Sequence, residues 1–357
     1  MNNYESQYLS ILSDLLQNGR KSSNRTGIDT YKLWGKQLHI DLSEGFPLLT
    51  TKKLHWKSVV HELLWMISGD TNIQYLLKNG VTFWSEWPYR EYCKPSEDEN
   101  ACSVSAFPPE SMRFTQREFE QTIINNDEFA KKRGSIGDFG YGGLWRKFPY
   151  FIDEYSPPIG QGFLYEFDQL AKVVRDLETE PDSRRIIISA WHPYHSNRKE
   201  DALLPACHNY IQFGTEKLED FERVDLLSKT GWSGYESESD GLYIKDIPKY
   251  RLNCYYSMRS SDAFLGLPFN CAFYALFTHL IANQLNMVPG QLVYSAADVH
   301  LYSNHIEQAK LQLTRAPKPL PTIKIKTPGK SIFDIKYEDI ELIDYTPHSS
   351  IKAEVAV

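Results

Sequence analysis

The sequence predicts an α+β fold, a single large domain over residues 1–357 in which a mixed, largely antiparallel sheet packs against helices. Two observations support this expectation. Helix-like and strand-like patterns follow one another without the regular strand–helix alternation of a parallel α/β protein. Residues 250–262 alternate apolar and polar side chains, as a half-buried strand does, and the charge-free residues 263–282 follow as a buried helix begun by Pro268.

Local patterns give the remaining elements. Apolar residues at helical spacing predict helices at 8–19 and 56–69, each ending on a glycine, which terminates helices well. A third helix is expected at about 303–314. Segments rich in β-branched and aromatic residues favour strands. Strands are therefore predicted at 30–42, 186–191 and 291–295.

Two segments, about 90–133 and 214–248, lack clear periodicity. Both are charged, contain Gly and Ser, and hold few apolar residues. Neither can bury enough apolar surface to build a core of its own. We expect them to be surface insertions in the single domain.

The formal net charge of −7 argues against partners that need a broad basic face. We therefore expect neither nucleic acid nor a membrane surface as a partner. The charge-free residues 263–282 are long enough for a membrane span, but Gly266, Pro268 and His279 favour a buried helix. If the ligand is an anion, the positively charged residues that bind it must be clustered at its binding site.

The five cysteines show neither CxxC nor zinc spacing, which indicates reduced thiols. A signal peptide has a basic segment followed by an apolar run, and the start of the chain shows no such pattern. We expect a cytoplasmic protein.

Cys207 lies beside His208 in "LLPACHNYIQF". On its own, such a cysteine is more often a small buried apolar residue than a nucleophile. A nucleophilic thiol needs a nearby cation or a helix N-terminus. If the segment is a strand, His208 points to the opposite side, so an arginine from elsewhere in the chain is the better candidate for that cation.

Several arginines lie in turns with small polar residues: Arg25 in "SNRTG", Arg184 and Arg185 in "PDSRR", and Arg259 in "SMRSSD". Solvated surface charge is the ordinary interpretation of each. Together they also fit a phosphate cradle, in which guanidinium groups and hydroxyls bind oxyanions.

Asn270 and Glu62 are polar residues in apolar surroundings. Asn270 either caps its helix or offers an amide donor and acceptor to one edge of a uracil ring. Glu62 either forms a buried salt bridge or has a raised pKa and relays protons.

The stretch "DVHLYSNH" places Asp298, His300, Tyr302 and His305 within eight residues. Two histidines at this spacing, without cysteines or clustered carboxylates, are a weak metal signal, and we expect no metal ion. His300 and Tyr302 lie two residues apart on one strand face, which suits hydrogen bonds to sugar hydroxyls.

Taken together, these residues resemble the folate-dependent thymidylate synthase family. The matching motifs run in order along nearly the whole chain and leave out only the two insertions. They are "NRTG" (24–27), "GFPLLTTKK" (45–53), "HELLW" (61–65), "GDTNIQYL" (69–76), "WSEW" (84–87), "YGGLWR" (141–146), "DSRRIIISAW" (182–191), "PACH" (205–208), "RSSDAFLGLPFN" (259–270), "DVHLYSNH" (298–305) and "VAV" (355–357).

The resemblance implies a thymidylate synthase-like fold and methylation of dUMP to dTMP by 5,10-methylenetetrahydrofolate, with Cys207 adding to C6 of the pyrimidine. It implies catalytic roles for Glu62 and Tyr141 in proton relay, for His208 in ordering water, for Asn270 in reading uracil, and for Arg259 in favouring the thiolate. The nucleotide would be bound by Arg25, Arg259 and Ser260 at the phosphate, by His300 and Tyr302 at the sugar, and by Arg184 and Arg185 from the partner subunit of a homodimer. The reduced folate would contact Lys52, Trp84, Trp87, Asp262, Phe269 and the carboxylate of Val357.

The chain departs from the family pattern around the pyrimidine. Met258 and Leu144 each occupy a position at which the family commonly has Gln. Ala206 replaces the usual Pro, and Ala296–Ala297 replace a common pair of glycines. These departures motivate an alternative, a hydroxymethylase that delivers a hydroxymethyl group to dUMP. A remoter alternative is an inactive nucleotide- or RNA-binding relative, which retention of Cys207 with Asn270 disfavours.

Overall fold

The computed structural model describes residues 2–24, 26–94, 113–152, 163–198, 201–229 and 247–355. Contacts within the chain define two compact units. The first unit comprises Met1–Val59, Leu170–Ile188 and Cys207–Ala356, and the second comprises Val60–Gln169 and Ser189–Ala206. The assignment of residues 1–357 to one domain with two insertions stays a prediction.

The helices are α1 Asn3–Asn18, α2 Trp56–Ser68, α3 Gln74–Lys78, α4 Glu86–Tyr92, α5 Gln116–Asn125, α6 Asp127–Arg133, α7 Tyr141–Arg146, α8 Gln169–Thr179, α9 Asp220–Lys229, α10 Gly266–Gln284 and α11 Ile306–Leu313. The strands are β1 Arg20–Ser22, β2 Thr30–Asp41, β3 Phe148–Ile152, β4 Phe163–Phe167, β5 Ile187–Ser189, β6 His208–Lys217, β7 Tyr250–Asp262, β8 Val288–Tyr302, β9 Thr322–Ile325 and β10 Ile340–Ile343.

A six-stranded sheet organises the first unit, in the order β1-β2-β8-β7-β6-β5. β2 pairs with β8 and β6 with β7 in antiparallel fashion, whereas β7 and β8 run parallel. The sheet is therefore mixed and largely antiparallel, which confirms the predicted fold class. The predicted alternation in β7 is confirmed as well, because Leu252, Cys254, Tyr256 and Met258 are buried and the residues between them are partly exposed.

The charge-free helix α10 packs against β7 and β8, and most of its side chains are buried. It begins at Gly266, two residues before the Pro268 expected to start it. Within the ranges that the structure describes, no helix combines the length and apolar character needed to cross a membrane. The helix is the buried core element that the sequence favoured.

The sheet register gathers polar residues at one end. Ser260 on β7 is aligned with Asp298 on β8, and Asp262 with His300. On the other side of β7, next to β6, the backbone amide of Arg259 donates to the carbonyl of Cys207 at 2.9 Å. The carboxyl ends of β7 and β8 and the start of β6 thus bring several candidate functional residues of the first unit to one end of the sheet.

Part of the 90–133 segment is helical. Thr115 caps α5 in a capping box with Glu118, and Asn126 caps α6. Phe119 and Ile123 on α5 are fully buried in the second unit. The Thr-x-x-Glu signal that starts α5 was present in the sequence, but the charge density around it obscured the helix.

Glu5 anchors the start of the chain inside the first unit. Its carboxylate is fully buried and accepts hydrogen bonds from the amides of Thr50 at 2.8 Å and Thr51 at 3.0 Å. The Thr50 hydroxyl donates to the same group. A buried carboxylate is tolerated when several donors surround it in this way.

We expect Glu5→Ala to lower the free energy of unfolding by about 3 kcal/mol, because it leaves buried donors unpaired. Urea unfolding measures the change. Glu178→Ala is the control, since that exposed carboxylate on α8 should change stability by about 0.5 kcal/mol or less. Equal effects of the two substitutions would contradict the assigned role of Glu5.

Candidate active site

Cys207 directly precedes β6 in the first unit, and the residue is partly exposed. The Nη2 atom of Arg259 is 3.7 Å from its Sγ atom. By contrast, burial raises the pKa of the Cys254 and Cys271 thiols to about 12. Among the described cysteines, Cys207 therefore combines access with a cation that attracts a thiolate.

His208 is buried and cannot be that cation. Its Nδ1 atom is hydrogen-bonded to the Tyr274 hydroxyl, and its ring lies against Phe273 and Tyr274. Burial lowers the pKa of His208 to about 3, so the imidazole is neutral near pH 7. The nearby guanidinium group of Arg259 is consistent with the prediction that an arginine from elsewhere in the chain is the partner of the thiol.

Asn270 is inside α10, whose N-cap is Leu265. The capping interpretation of Asn270 is therefore wrong. Its Nδ2 atom lies 3.9 Å from the Sδ atom of Met258, and a thioether is only a weak acceptor. The half-exposed amide keeps hydrogen-bonding capacity for a ligand.

His300 and Tyr302 lie together at the end of β8, with ring centroids 5.2 Å apart. The Nδ1 atom of His300 is 2.8 Å from the Asp298 carboxylate. This hydrogen bond is the main reason that the pKa of Asp298 is lowered. It fixes the orientation of the His300 ring.

His305 has a different partner, because its Nε2 atom is 2.7 Å from the Glu354 carbonyl. The two histidines thus have separate partners. Across the described part of the chain, no three His, Cys, Asp or Glu side chains come together as a metal site would require.

The predicted folate-binding residues of the first unit differ in their exposure and in their hydrogen-bond partners. Asp262 accepts hydrogen bonds from the amides of Phe264 and Leu265 at 2.8 and 3.2 Å. Lys52 is buried, donates to the Phe264 carbonyl, and lies 3.5 Å from the centre of its ring. Desolvation lowers the pKa of Lys52 to about 7. Phe269 is half-exposed on α10.

Arg184 and Arg185 are exposed in the turn between α8 and β5. They line an open cavity of about 760 Å³, together with Ser183 and Tyr250. Ser260 is half-exposed beside Arg259. Arg25 and Val357, the remaining predicted residues of the nucleotide and folate sites, lie outside the described residues.

In the second unit, Glu62, Trp84 and Tyr141 form one buried group. The indole nitrogen of Trp84 donates a hydrogen bond to Glu62 Oε2 at 2.9 Å. The partner of Glu62 is thus an indole, where one sequence interpretation had expected a buried salt bridge. Burial raises the pKa of Glu62 from its ordinary 4.5 to about 8. The Trp84 ring packs edge-to-face against Tyr141 at 5.5 Å and lies 5.8 Å from Trp87.

Tyr274 is a site residue that the sequence interpretation missed. It holds the Nδ1 atom of His208 and is fully buried. A signal for it existed, because Tyr274 follows Asn270 by four positions on a helix and so shares its face.

The first unit thus presents a thiol beside a guanidinium group, and the second holds a buried carboxyl group with a raised pKa. Such groups are typical of enzymes that transfer a group through a covalent intermediate. The chain belongs to the thymidylate synthase family, whose model, described as "Thymidylate synthase", matches residues 6–357. The family makes it a one-carbon transferase.

Relatives of known name are similar in sequence to this chain along nearly their whole length. A thymidylate synthase of Mycoplasma pneumoniae is 41% identical over 351 residues, covering 98% of this chain and 99% of its own. Thymidylate synthases of Mycoplasma genitalium and Mesoplasma florum are each 39% identical over the same shares.

The raised pKa of Glu62 predicts a pH-dependent stability. The folded protein holds the Glu62 proton up to about pH 8, whereas the unfolded chain releases it near pH 4.5, so the stability of the wild type falls between these values. Glu62→Gln cannot lose a proton. We expect its unfolding free energy to rise relative to the wild type, on the order of 4 kcal/mol between pH 4.5 and pH 8.

Urea unfolding of both proteins at several pH values measures this difference. Glu178→Gln is the matched control, because the exposed Glu178 meets solvent in both states. A stability difference for Glu62→Gln that stays constant over the range would refute the raised pKa.

Proposed function

We propose that the enzyme methylates dUMP to dTMP and takes the one-carbon group from 5,10-methylenetetrahydrofolate. The pair formed by Cys207 and Arg259 at 3.7 Å is the observation that carries this proposal. The relatives, all named thymidylate synthases, do not favour the hydroxymethylase alternative. The net charge of −7 speaks against an RNA-binding role.

The chemistry begins with the Cys207 thiolate, which adds to C6 of the uracil ring and makes C5 nucleophilic. Arg259 supplies the counter-charge of the thiolate. Asn270 offers a donor and an acceptor to one edge of the ring, which would hold C6 toward the sulfur. His208 is neutral and held by Tyr274, so it can order water beside the ring without adding charge.

Glu62 and Tyr141 carry the proton transfers in this proposal, including removal of the C5 proton that the new methyl group replaces. A general acid–base group works best when its pKa lies near the operating pH. The pKa of Glu62, about 8, meets this condition, and Trp84 fixes the position of the carboxyl group.

The residues present fit a reduced folate. Trp87 is partly exposed and lies against the buried Trp84, so it offers an aromatic face to a flat ring system. The folate supplies the methylene carbon and the hydride that reduces it to methyl, leaving as dihydrofolate. The buried ammonium group of Lys52 would have to leave the Phe264 carbonyl to reach a glutamyl tail.

A homodimer fits the open face of the sheet. Tyr210 on β6 and Tyr255 on β7 are half-exposed, and their rings lie 6.2 Å apart. Aromatic residues on such a face suit a self-complementary interface. Arg184 and Arg185 are exposed and could reach the nucleotide phosphate of the partner subunit. The odd number of cysteines and the lack of CxxC spacing support a reducing compartment, which we propose to be the cytoplasm.

Turnover with dUMP and 5,10-methylenetetrahydrofolate tests the proposed reaction, and the absorbance of dihydrofolate follows it. We expect dTMP from the wild type and a loss of at least about 1,000-fold in Cys207→Ser, with dUMP affinity largely retained. Cys93→Ser is the control, because its half-exposed thiol lies in the second unit. Hydroxymethyl-dUMP with tetrahydrofolate as products, or unchanged turnover in Cys207→Ser, would overturn the proposal.

Subunit mixing tests the contribution of the partner arginines. Cys207→Ser and the double variant Arg184→Ala/Arg185→Ala should each be inactive. After exchange at equal amounts, half of the dimers are mixed and each has one intact site, so about a quarter of the wild-type activity should return. Mixing Cys207→Ser with Arg259→Ala is the control and should restore none. No recovery in the first mixture would place the arginines in the site of their own subunit.

A further inference from the structure

In the second unit, a histidine stacks on the loop that leads into Tyr141. The rings of His195 and Phe139 lie face to face, with centroids 3.7 Å apart and planes 5° apart. Such parallel contact over the full ring area is close and directional. Phe139 stands two residues before Tyr141, which begins α7.

The His195 ring is also held at its edge. Its Nδ1 atom lies 2.7 Å from the carboxylate of Asp201, and Nε of Arg198 is 3.3 Å from the same oxygen. The side chains of His195 and Asp201 are 22% and 18% exposed, so solvent screens this pair less than it would a surface pair. The carboxylate fixes both the position and the tilt of the imidazole.

Backbone contacts tie the same two segments together. The amide of Phe139 donates to the Asp201 carbonyl at 3.2 Å, and the amide of Leu203 donates to the Ile136 carbonyl at 2.9 Å. Gly137 has φ of +100°, and a Cβ atom there would lie 2.3 Å from the Asp201 carbonyl oxygen. The approach of the two segments thus requires glycine at this position.

Tyr141 depends on this loop for its position. The side chain is buried and packs against Trp84, whose indole nitrogen holds Glu62. A shift of Phe139 would reach Tyr141 through a single intervening residue. Misplacement of a reacting group by about 1 Å can cost about 100-fold in rate.

We propose that His195 is a positioning residue for the reaction: held by Asp201, it stacks on Phe139 and thereby sets the position of Tyr141. This inference rests on the proposed function, in which Tyr141 takes part in removal of the C5 proton. His195 itself touches no substrate in this account, and no bond to it forms or breaks.

His195→Ala tests the role through steady-state kinetics. We expect kcat to fall about 10- to 100-fold, while KM for dUMP stays within about twofold, because the nucleotide-binding residues are untouched. The isotope effect on kcat for dUMP with deuterium at C5 should also increase, since proton removal becomes slower than the other steps. Loss of structural integrity alone would not change that isotope effect. His39→Ala is the matched control, an exposed histidine in the first unit.

A double-mutant cycle with Tyr141→Phe shows whether His195 acts through Tyr141. If it does, His195→Ala should lower kcat by much less in the Tyr141→Phe background than in the wild type. Equal losses in both backgrounds, or an unchanged isotope effect in His195→Ala, would overturn the inference.

Phe139→Leu removes the same stack from the opposite side and should reproduce the kinetic pattern, so it serves if His195→Ala does not fold. Failure of the proposed function is distinguishable, because it would appear as absence of dTMP formation by the wild type. A fully active wild type with wild-type kinetics in both His195→Ala and Phe139→Leu would refute the positioning role alone.

Discussion

The contact between Arg259 and Cys207 is the interaction in the first unit on which the proposed chemistry depends. The strands β6 and β7 pair antiparallel, and the backbone bond from Arg259 to the Cys207 carbonyl extends that pairing. The same alignment brings the guanidinium group to the thiol. Because β7 continues into Ser260 and lies parallel to β8, one register also positions the residues proposed to bind the nucleotide.

Burial keeps two other groups, one in each unit, uncharged near neutral pH, with opposite effects on their pKa values. It lowers the pKa of His208 to about 3 and raises that of Glu62 to about 8, because desolvation disfavours whichever form is charged. The first group is therefore neutral near pH 7, and the second retains a proton to release.

Two of the departures from the family pattern are neighbours in the sheet. Met258 on β7 is aligned with Ala296 on the parallel strand β8. Met258 and Ala296 are both buried, at 2% and 3% exposure. A flexible methionine adapts to irregular space, which lets it pack beside the small alanine in place of a polar side chain. The consequence falls on Asn270, whose amide faces a thioether and remains available for a ligand.

The sequence by itself determined the elements with strong periodicity and the residues with distinctive motifs. The alternation of β7, the helix at 56–68 and the buried helix α10 were predictable, because side chains two, three or four positions apart report directly on one face of a strand or helix. The local context of Cys207 alone favoured a small buried residue, whereas the ordered motifs indicated the family and, through it, the proposed nucleophile.

Only the tertiary structure decided which groups meet. Arg259 and Cys207 are 52 positions apart, and their contact depends on strand register, which no local pattern encodes. The same holds for the Trp84 bond to Glu62, the Tyr274 bond to His208 and the burial of Lys52. Burial and long-range pairing are properties of packing, and they set the charge states on which the proposed chemistry depends.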